Sequence, residues 1–168
     1  MSRRTERAAL GGAVTVRIAH VADLDALMAL EHAAFAIDRA ERRAIRHAIR
    51  SSSMSLLVAV ATDPDAEAEL LVGAATLERR RTSAVARLSS IAVAPSRAGH
   101  GLGGLLLAAA EAEARRHGLA RLRLEVRADN GAGIRLYERH GYRRYGTKPD
   151  YYEDGMEAWC YEKALEPA

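Results

Sequence analysis

The chain has 168 residues, of which 49% are hydrophobic and 28% are charged, a balance typical of one soluble globular domain. No apolar run approaches the roughly 20 residues of a membrane helix, and the arginine-containing start lacks the apolar segment of a secretory signal. The single cysteine, Cys160, excludes an intramolecular disulfide and a cysteine-based metal cluster, and the net charge of +3 does not indicate nucleic-acid binding. We therefore expect a cytoplasmic protein without a metal, a membrane anchor or a nucleic-acid partner.

The first half of the chain predicts one strand, then two helices, then three strands. In chain order these are strand Val14–Ile18, helices Leu24–Phe35 and Arg39–Arg50, and strands Ser55–Ala61, Leu70–Leu77 and Ala84–Val93. Asp23 is placed to cap the first helix. Arg79, Arg80 and Arg81 fall at the turn between the last two strands. Such a basic run is usually a solvated surface and less often contacts an anionic partner.

The second half predicts a long helix, a strand, a short helix and two final strands. These are helix Gly101–His117, strand Arg121–Arg127, helix Gly131–His140, and strands Tyr142–Tyr145 and Glu157–Lys163. The complete order, β-α-α-β-β-β-α-β-α-β-β, predicts an α/β protein with a mixed sheet and helices on both faces. Residues 13–168 would form one domain, preceded by a flexible tail over residues 1–12.

The junction before the long helix carries glycines at positions 99, 101, 103 and 104. Glycines let backbone N–H groups converge, and the helix N-terminus adds partial positive charge, so Gly99–Gly104 is typical of a phosphate or pyrophosphate site. The loop also fits the dinucleotide fingerprint, with Glu125 about 20 residues further on. Residues Ala94–Ala98 intervene after the strand, however, and half of the chain precedes the loop, which disfavours that interpretation. A purely structural tight turn is the remaining alternative.

The segments Ile91–Gly104 and Leu124–Tyr137 resemble the core of the GNAT-superfamily acetyltransferases, and the resemblance extends over roughly residues 14–165. The family signature Gln/Arg-x-x-Gly-x-Gly/Ala falls on residues 98–103, where Ala98 replaces the first Gln or Arg. The resemblance implies acetyl-CoA as co-substrate and a splayed central pair of parallel strands, with the Val93 N–H facing the developing oxyanion. The residues implied in coenzyme binding are Ile91, Ala92, Val93, Gly99, His100, Gly101, Leu102, Gly103, Gly104 and Asn130.

Within that superfamily, the segment Leu124–Glu138 resembles the bacterial ribosomal-protein-alanine N-acetyltransferases and related peptide N-terminal acetyltransferases. The resemblance implies that Glu125 is the general base and that Tyr137, twelve residues later, is the general acid. From the residues alone, Glu125 could instead be a surface carboxylate paired with Arg123 or Arg127, and Tyr137 could be a core tyrosine.

The acceptor side is implied by the segment Tyr151–Ala158, which resembles the Tyr-Tyr-x-Asp-Gly-x-Asp-Ala hairpin of the same branch. The resemblance implies that Tyr151 and Tyr152 bind a peptide N-terminus, although an Asp-Gly hairpin with packed tyrosines would give the same sequence. Phe35 is expected at the substrate entrance. The branch usually has Phe-Pro-Trp there, whereas this chain has Phe-Ala-Ile, so the acceptor wall should differ.

These observations predict direct transfer of an acetyl group from acetyl-CoA to a primary amine, without a covalent enzyme intermediate. A protein or peptide N-terminal α-amine is the first expectation for the acceptor. The alternatives are a lysine side chain, a small-molecule amine, or a non-catalytic module that only binds acetyl-CoA. The protein is expected to be a monomer or a homodimer.

Overall fold

The apolar and alternating patterns of the sequence fold into one sheet with helices on both sides. The computed structural model describes residues 13–63, 65 and 68–167. Its strands are β1 Val14–Ile18, β2 Met54–Asp63, β3 Ala68–Arg79, β4 Val85–Val93, β5 Arg121–Arg127, β6 Arg143–Lys148 and β7 Ala158–Ala164. Its α-helices are α1 Leu24–Ala34, α2 Arg42–Arg50, α3 Leu102–Arg116 and α4 Gly131–Arg139. The expected tail over residues 1–12 lies outside the described residues.

The seven strands are arranged in the order β1-β2-β3-β4-β5-β7-β6. Neighbouring strands are antiparallel except for β4 and β5, which are parallel. The parallel register begins at Val85–Arg121 and ends at Leu88–Leu124, although β4 continues to Val93 and β5 to Arg127. The two central strands therefore diverge, which confirms the predicted mixed α/β fold with a splayed parallel pair.

Two hydrophobic clusters cover the two faces of this sheet. Alternate residues of β2 point in opposite directions, so that Leu57 packs in the cluster of α3, whereas Leu56 and Val58 pack in the cluster of α1 and α2. The continuous apolar run of β2 is explained by burial on both faces. α4 contributes Tyr137 to the α3 cluster, so α1 and α2 lie on one face and α3 and α4 on the other.

Asp23 immediately precedes α1, as expected, but its carboxylate does not act as the predicted cap. It accepts hydrogen bonds from the Arg17 guanidinium (2.8 and 2.9 Å) and from the His20 backbone N–H (2.7 Å). The carboxylate therefore fixes the 3-10 turn Val21–Asp23 against β1. The hydrogen bonds from Arg17 lower the pKa of Asp23 below its ordinary value.

The connection between α1 and α2 is longer than the sequence predicts. Asp38 adopts a left-handed conformation with φ of 54°, which an aspartate tolerates better than most residues. Glu31 accepts a hydrogen bond from the Ala40 backbone N–H (2.6 Å), and this bond holds the loop against α1. As a result α2 begins at Arg42 rather than at Arg39.

None of the helices in the described part of the chain is both long and apolar enough to cross a membrane. Within the same residues, no group of three histidine, cysteine, aspartate or glutamate side chains comes together to hold a metal ion. Cys160 is a buried free thiol in β7.

Candidate active site

The divergence of β4 and β5 leaves one side of β4 without a strand partner. Within the described residues, β5 pairs with β4 only up to Leu88, whereas β3 pairs with β4 as far as Val93. The Ala94 N–H donates to the Val72 carbonyl on β3 (2.8 Å), and successive N–H groups of a strand point to opposite sides. The Val93 N–H therefore points into the gap, where an extended ligand could pair with β4 as an additional strand.

The glycine loop joins this gap to the start of α3. Gly99 and Gly101 have φ values of 76° and 79°, and a Cβ added at either position would meet no atom within 4 Å. These two residues therefore use the conformational freedom of glycine and leave the surface above the loop open. Gly101 is the N-cap of α3, whose first N–H groups point toward that surface.

The other two glycines of the loop, Gly103 and Gly104, are explained by close packing against α4. A Cβ at Gly103 would lie 3.0 Å from Leu136 Cδ2, and one at Gly104 would lie 3.0 Å from His140 Nε2. Both positions therefore allow α4 to approach α3 closely. His100 Nδ1–H donates to the Arg97 and Ala98 carbonyls (3.1 and 3.0 Å), so this side chain fixes the shape of the loop.

A cavity of about 830 Å³ lies below the gap and extends under the α1–α2 connection. It brings together side chains that are far apart in the sequence. The predicted site residues among its lining are Phe35, Ile91, Ala92, Glu125, Asn130, Tyr137 and Tyr152. Asn130 caps α4, because its Oδ1 accepts a hydrogen bond from the Gly133 N–H (3.0 Å). Val93, the glycine loop and Tyr151 are not part of this lining, as far as the described residues show.

Glu125 is one of five carboxylates that line this cavity, and its side chain is only 9% exposed. Its Oε1 accepts a hydrogen bond from Lys148 Nζ (2.8 Å), and its Oε2 accepts one from Arg87 Nε (3.0 Å). Burial acts to raise the pKa of Glu125, but the hydrogen bonds from Lys148 and Arg87 outweigh it, so this pKa lies below its ordinary value. Glu125 is thus an ionised but weakly basic carboxylate.

Tyr137 approaches the cavity from α4. It is 5% exposed and belongs to a cluster of aromatic rings with Tyr142 and Tyr161, at centroid distances of 5.9 and 6.5 Å. Burial, with a smaller contribution from Tyr152, raises the pKa of Tyr137 well above its ordinary value. The phenol therefore stays protonated at neutral pH and is able to donate a proton. Tyr137 is therefore a core tyrosine that also lines the cavity, so its packing is compatible with the predicted role as general acid.

The wall of the cavity is held by an ionic cluster around Arg127. This guanidinium donates two hydrogen bonds to Asp154 (3.0 and 2.6 Å) and two to Asp129 (3.1 and 3.4 Å), and it lies 3.6 Å from Asp38. Asp38 in turn accepts a hydrogen bond from the Glu153 N–H (3.0 Å). The α1–α2 connection and the β6–β7 connection are therefore fixed to each other across the cavity entrance.

The two adjacent tyrosines of the β6–β7 connection point to different places. Tyr152 lines the cavity and packs under Arg127, whose Cζ lies 4.9 Å from the ring centroid. The Tyr151 hydroxyl accepts a hydrogen bond from Arg87 Nη2 (3.0 Å) and borders a second cavity. Only Tyr152 and Phe35 of the three predicted acceptor residues therefore face the first cavity.

Comparison with known proteins identifies the family to which this fold belongs. The sequence model of the "Acetyltransferase (GNAT) family" matches residues 24–142, which is most of the chain. This chain belongs to the GNAT acetyltransferase family. Common descent therefore explains why the glycine loop and the segment around Glu125 resemble those of other GNAT proteins.

One comparison of sequence and one of structure show how similar this GNAT protein is to an individual acetyltransferase. The [ribosomal protein bS18]-alanine N-acetyltransferase of Escherichia coli (strain K12) is 43% identical over 74 residues, which are 43% of this chain and 50% of that protein. The match thus spans about half the length of the curated relatives. In structure, the ribosomal-protein-S18-alanine N-acetyltransferase from Escherichia coli has a TM-score of 0.78 at 26% identity, with 93% of this chain and 96% of that chain covered.

A second solved structure gives the same result. The ribosomal-protein-alanine N-acetyltransferase from Brucella melitensis has a TM-score of 0.75 at 25% identity. The match covers 90% of this GNAT chain and 99% of that chain. The expected relationship to the alanine N-acetyltransferases is therefore confirmed at the level of similarity.

The architecture of this GNAT domain fits an extended ligand that carries a pyrophosphate. Side chains at Gly99 or Gly101 would fill the open surface at the start of α3, and this surface offers backbone N–H groups to an anion. The unpaired edge of β4 leads from that surface to the cavity of Glu125 and Tyr137. The main chain of Ile91–Val93 would then bind the amides of a pantetheine arm.

Sequence reasoning missed the residues that surround the predicted base and the cavity wall. Arg87 and Lys148 contact Glu125, yet they lie 38 and 23 residues away in sequence. Asp38 and Arg127 join the two connections. Arg127 could have been found from its position in the Leu-Glu-Val-Arg segment, but the other three carry no sequence pattern and depend on the sheet register.

Proposed function

We propose that this protein is an acetyl-CoA-dependent N-acetyltransferase that acts on the α-amine of a peptide or protein N-terminus. The observation that carries the proposal is the convergence of an unpaired β4 edge, an ionised Glu125 and a protonated Tyr137 at one cavity. The similarity to alanine N-acetyltransferases of ribosomal proteins supports the choice of acceptor. We also propose that the protein is located in the cytoplasm. Residues 13–168 would form one domain, and the protein would be a monomer or a homodimer.

Each side chain has a distinct task in the proposed reaction. Acetyl-CoA supplies the acetyl group as an activated thioester. The backbone N–H of Val93 stabilises the negative charge that develops on the carbonyl oxygen, because preorganised donors act strongly where water is excluded. Glu125 takes the proton of the incoming amine, directly or through a water molecule, and Tyr137 gives a proton to the leaving sulfur. Phe35 and Tyr152 shape the acceptor side of the cavity.

The acidity of the acceptor ammonium favours an α-amine over a lysine side chain. An α-ammonium has a pKa of about 8, whereas a lysine ammonium has a pKa of about 10.4. Transfer of a proton from lysine to a given carboxylate is therefore at least about 100-fold less favourable than transfer from an α-ammonium, and the lowered pKa of Glu125 makes both transfers harder. The weak base is therefore suited to an amine that is already partly neutral at pH 7 to 8.

The test compares amine classes within one peptide. Coenzyme A release is measured with a peptide that carries a free N-terminus and an internal lysine, and with the same peptide after its N-terminus has been blocked. We expect turnover of the free peptide and a rate at least about 100-fold lower for the blocked one, in line with the large difference in amine pKa. Equal turnover of both peptides would show a lysine acetyltransferase. Acetyl-CoA binding without turnover on any amine would show a non-catalytic module.

The Glu125→Gln variant tests the proposed base. We expect kcat/KM for the peptide to fall about 100-fold at pH 7, because a general base commonly contributes a factor of that size. The loss should shrink at pH 9, where most of the α-amine is already neutral. Stopped assays of coenzyme A release across this pH range measure both effects.

Glu125→Gln also breaks the ion pairs with Lys148 and Arg87, and Lys148→Gln provides the matched control for the loss of the first pair. Both variants remove the 2.8 Å contact between the two side chains, but only the first removes the carboxylate. A loss in Lys148→Gln as large as that in Glu125→Gln would assign the effect to the ion pair. A loss in Glu125→Gln that did not change between pH 7 and pH 9 would also contradict the assignment of Glu125 as the base.

A further inference from the structure

A second cavity of about 670 Å³ lies on the sheet beside the acceptor site. Met54, Glu78 and Glu125 line both cavities, so the second cavity continues the first past the proposed base. Its outer end is formed by the β3–β4 turn, where Arg80 and Ser83 lie. A substrate with its amine at Glu125 could therefore extend into this space.

The second cavity is strongly cationic. Its lining contains two carboxylates, Glu78 and Glu125, and the cationic side chains Arg79, Arg80, Arg87, Arg123 and Lys148. The two carboxylates are already occupied by Arg87 and Lys148.

Three of the cations remain after those pairs. Arg123 pairs with Glu162 outside the cavity (2.9 Å). Arg79 donates hydrogen bonds to the uncharged Ser55 hydroxyl and to the Ser52 carbonyl. Over the described residues, neither Arg79 nor Arg80 has a carboxylate partner within ion-pair distance. Both terminal nitrogens of Arg79 are thus engaged, and its Ser55 partner donates to the buried Glu113, so the Arg80 guanidinium is the uncompensated cation at the outer end of a groove that leads to the proposed base.

We propose that the second cavity is an acceptor subsite for an acidic side chain of the peptide being acetylated, with Arg80 as its cationic ligand. This inference rests on the proposed function and specifies its substrate class. It also gives a role to the arginine run at positions 79–81, for which the sequence left a solvated turn and an anionic partner as alternatives. Carboxylates are the anions that a peptide offers at fixed spacing from its N-terminus, and arginine binds them in a planar geometry.

The sheet register gives the expected position of the acidic residue. Arg121 pairs with Val85, which follows the β3–β4 turn and lines the second cavity. Arg121 and Glu125 are four positions apart on β5, which corresponds to roughly 13 Å along the strand. An extended peptide advances by about the same 3.3 Å per residue as a strand, so four of its residues also cover roughly 13 Å. With its α-amine at Glu125, such a peptide would bring about its third to fifth residue to Arg80.

The experiment uses a set of C-terminally amidated peptides that differ only in the position of one glutamate, each paired with its glutamine analogue. The ratio of kcat/KM between the two members of a pair reports the recognition of the carboxylate. At low ionic strength we expect a ratio of about 5 for positions three to five, carried by a lower KM, and a ratio near 1 elsewhere. At about 0.5 M salt the ratio should approach 1, since exposed charges are then screened.

Variants of Arg80 show whether the preference arises at this turn. In Arg80→Glu the ratio should fall below 1, whereas Arg80→Lys should keep most of the preference. Arg43→Glu is the matched control, because Arg43 is exposed on α2, lines neither cavity and undergoes the same change of charge. Its ratio should equal that of the unmodified protein.

Two different failures can be distinguished. Equal turnover of acidic and neutral peptides, or a ratio that Arg80→Glu leaves unchanged, would overturn the acidic subsite while the proposed function stands. Absence of turnover on every peptide, although acetyl-CoA binds, would overturn the proposed function and the subsite with it.

Discussion

Gly101→Glu is expected to weaken acetyl-CoA binding by more than about 100-fold, because it places a carboxylate where the pyrophosphate should bind. The position lies at the N-cap of α3, and a side chain added there would project into open space above the loop. The lost interactions are charge-assisted hydrogen bonds from backbone N–H groups, and a like charge would stand in their place. Isothermal titration calorimetry with acetyl-CoA measures the loss directly.

Gly118→Glu separates this effect from backbone strain. Gly118 has a φ of 73° and open space around its Cβ position, so it shares both properties of Gly101. It follows α3 at the other end, roughly 22 Å away along the 15-residue helix. Both variants should lose similar stability, about 1 to 2 kcal/mol, from a left-handed conformation at a non-glycine residue. If Gly101→Glu still bound acetyl-CoA as tightly as Gly118→Glu, the glycine loop would not be the pyrophosphate site.

The second large effect is expected for Tyr137→Phe, which should lower kcat about 100-fold or more with little change in acetyl-CoA affinity. The variant removes only the hydroxyl that is proposed to protonate the leaving sulfur, and it keeps the ring packed against Tyr142 and Tyr161. Because burial holds the pKa of Tyr137 above its ordinary value, kcat of the unmodified protein should not fall with rising pH below about pH 10. Single-turnover rates measure the loss of the chemical step, and calorimetry with acetyl-CoA measures the affinity that should not change.

Tyr142→Phe is the matched control for the loss of a buried phenol. Tyr142 is 2% exposed and packs edge-on against Tyr137, but its hydroxyl donates to Glu111 (3.3 Å) and it does not line the acceptor cavity. This variant should lose stability without a comparable loss of kcat. If the two variants had the same kcat, or if Tyr137→Phe kept the full single-turnover rate, Tyr137 would be a packing residue and not the acid.

The glycine loop shows how far a sequence motif can be interpreted. Four glycines at one helix start indicated an anion site, and for Gly99 and Gly101 the positive φ values and open surroundings agree with that interpretation. Gly103 and Gly104, however, are also explained by the approach of Leu136 and His140 from α4. A sequence cannot separate these reasons, because both require the same missing side chain.

The surroundings of Glu125 were not predictable in the same way. The sequence offered Arg123 and Arg127 as partners because they flank Glu125 on the same strand, but in the sheet those arginines pair with Glu162 and Asp154. The partners of Glu125 come from β4 and β6. The weakly basic character of this carboxylate therefore depends on strand order, which local patterns do not contain.

The sequence by itself determined the element order, the family resemblance, and the residues proposed for coenzyme binding and catalysis. Periodicity and turn residues act over a few positions, so they are present in the chain before it folds. Only the tertiary structure decided which side chains meet, because contacts across a sheet depend on register and strand order. It placed Glu125 and Tyr137 at one cavity, separated Tyr151 from Tyr152, and joined the arginine turn to the acceptor site.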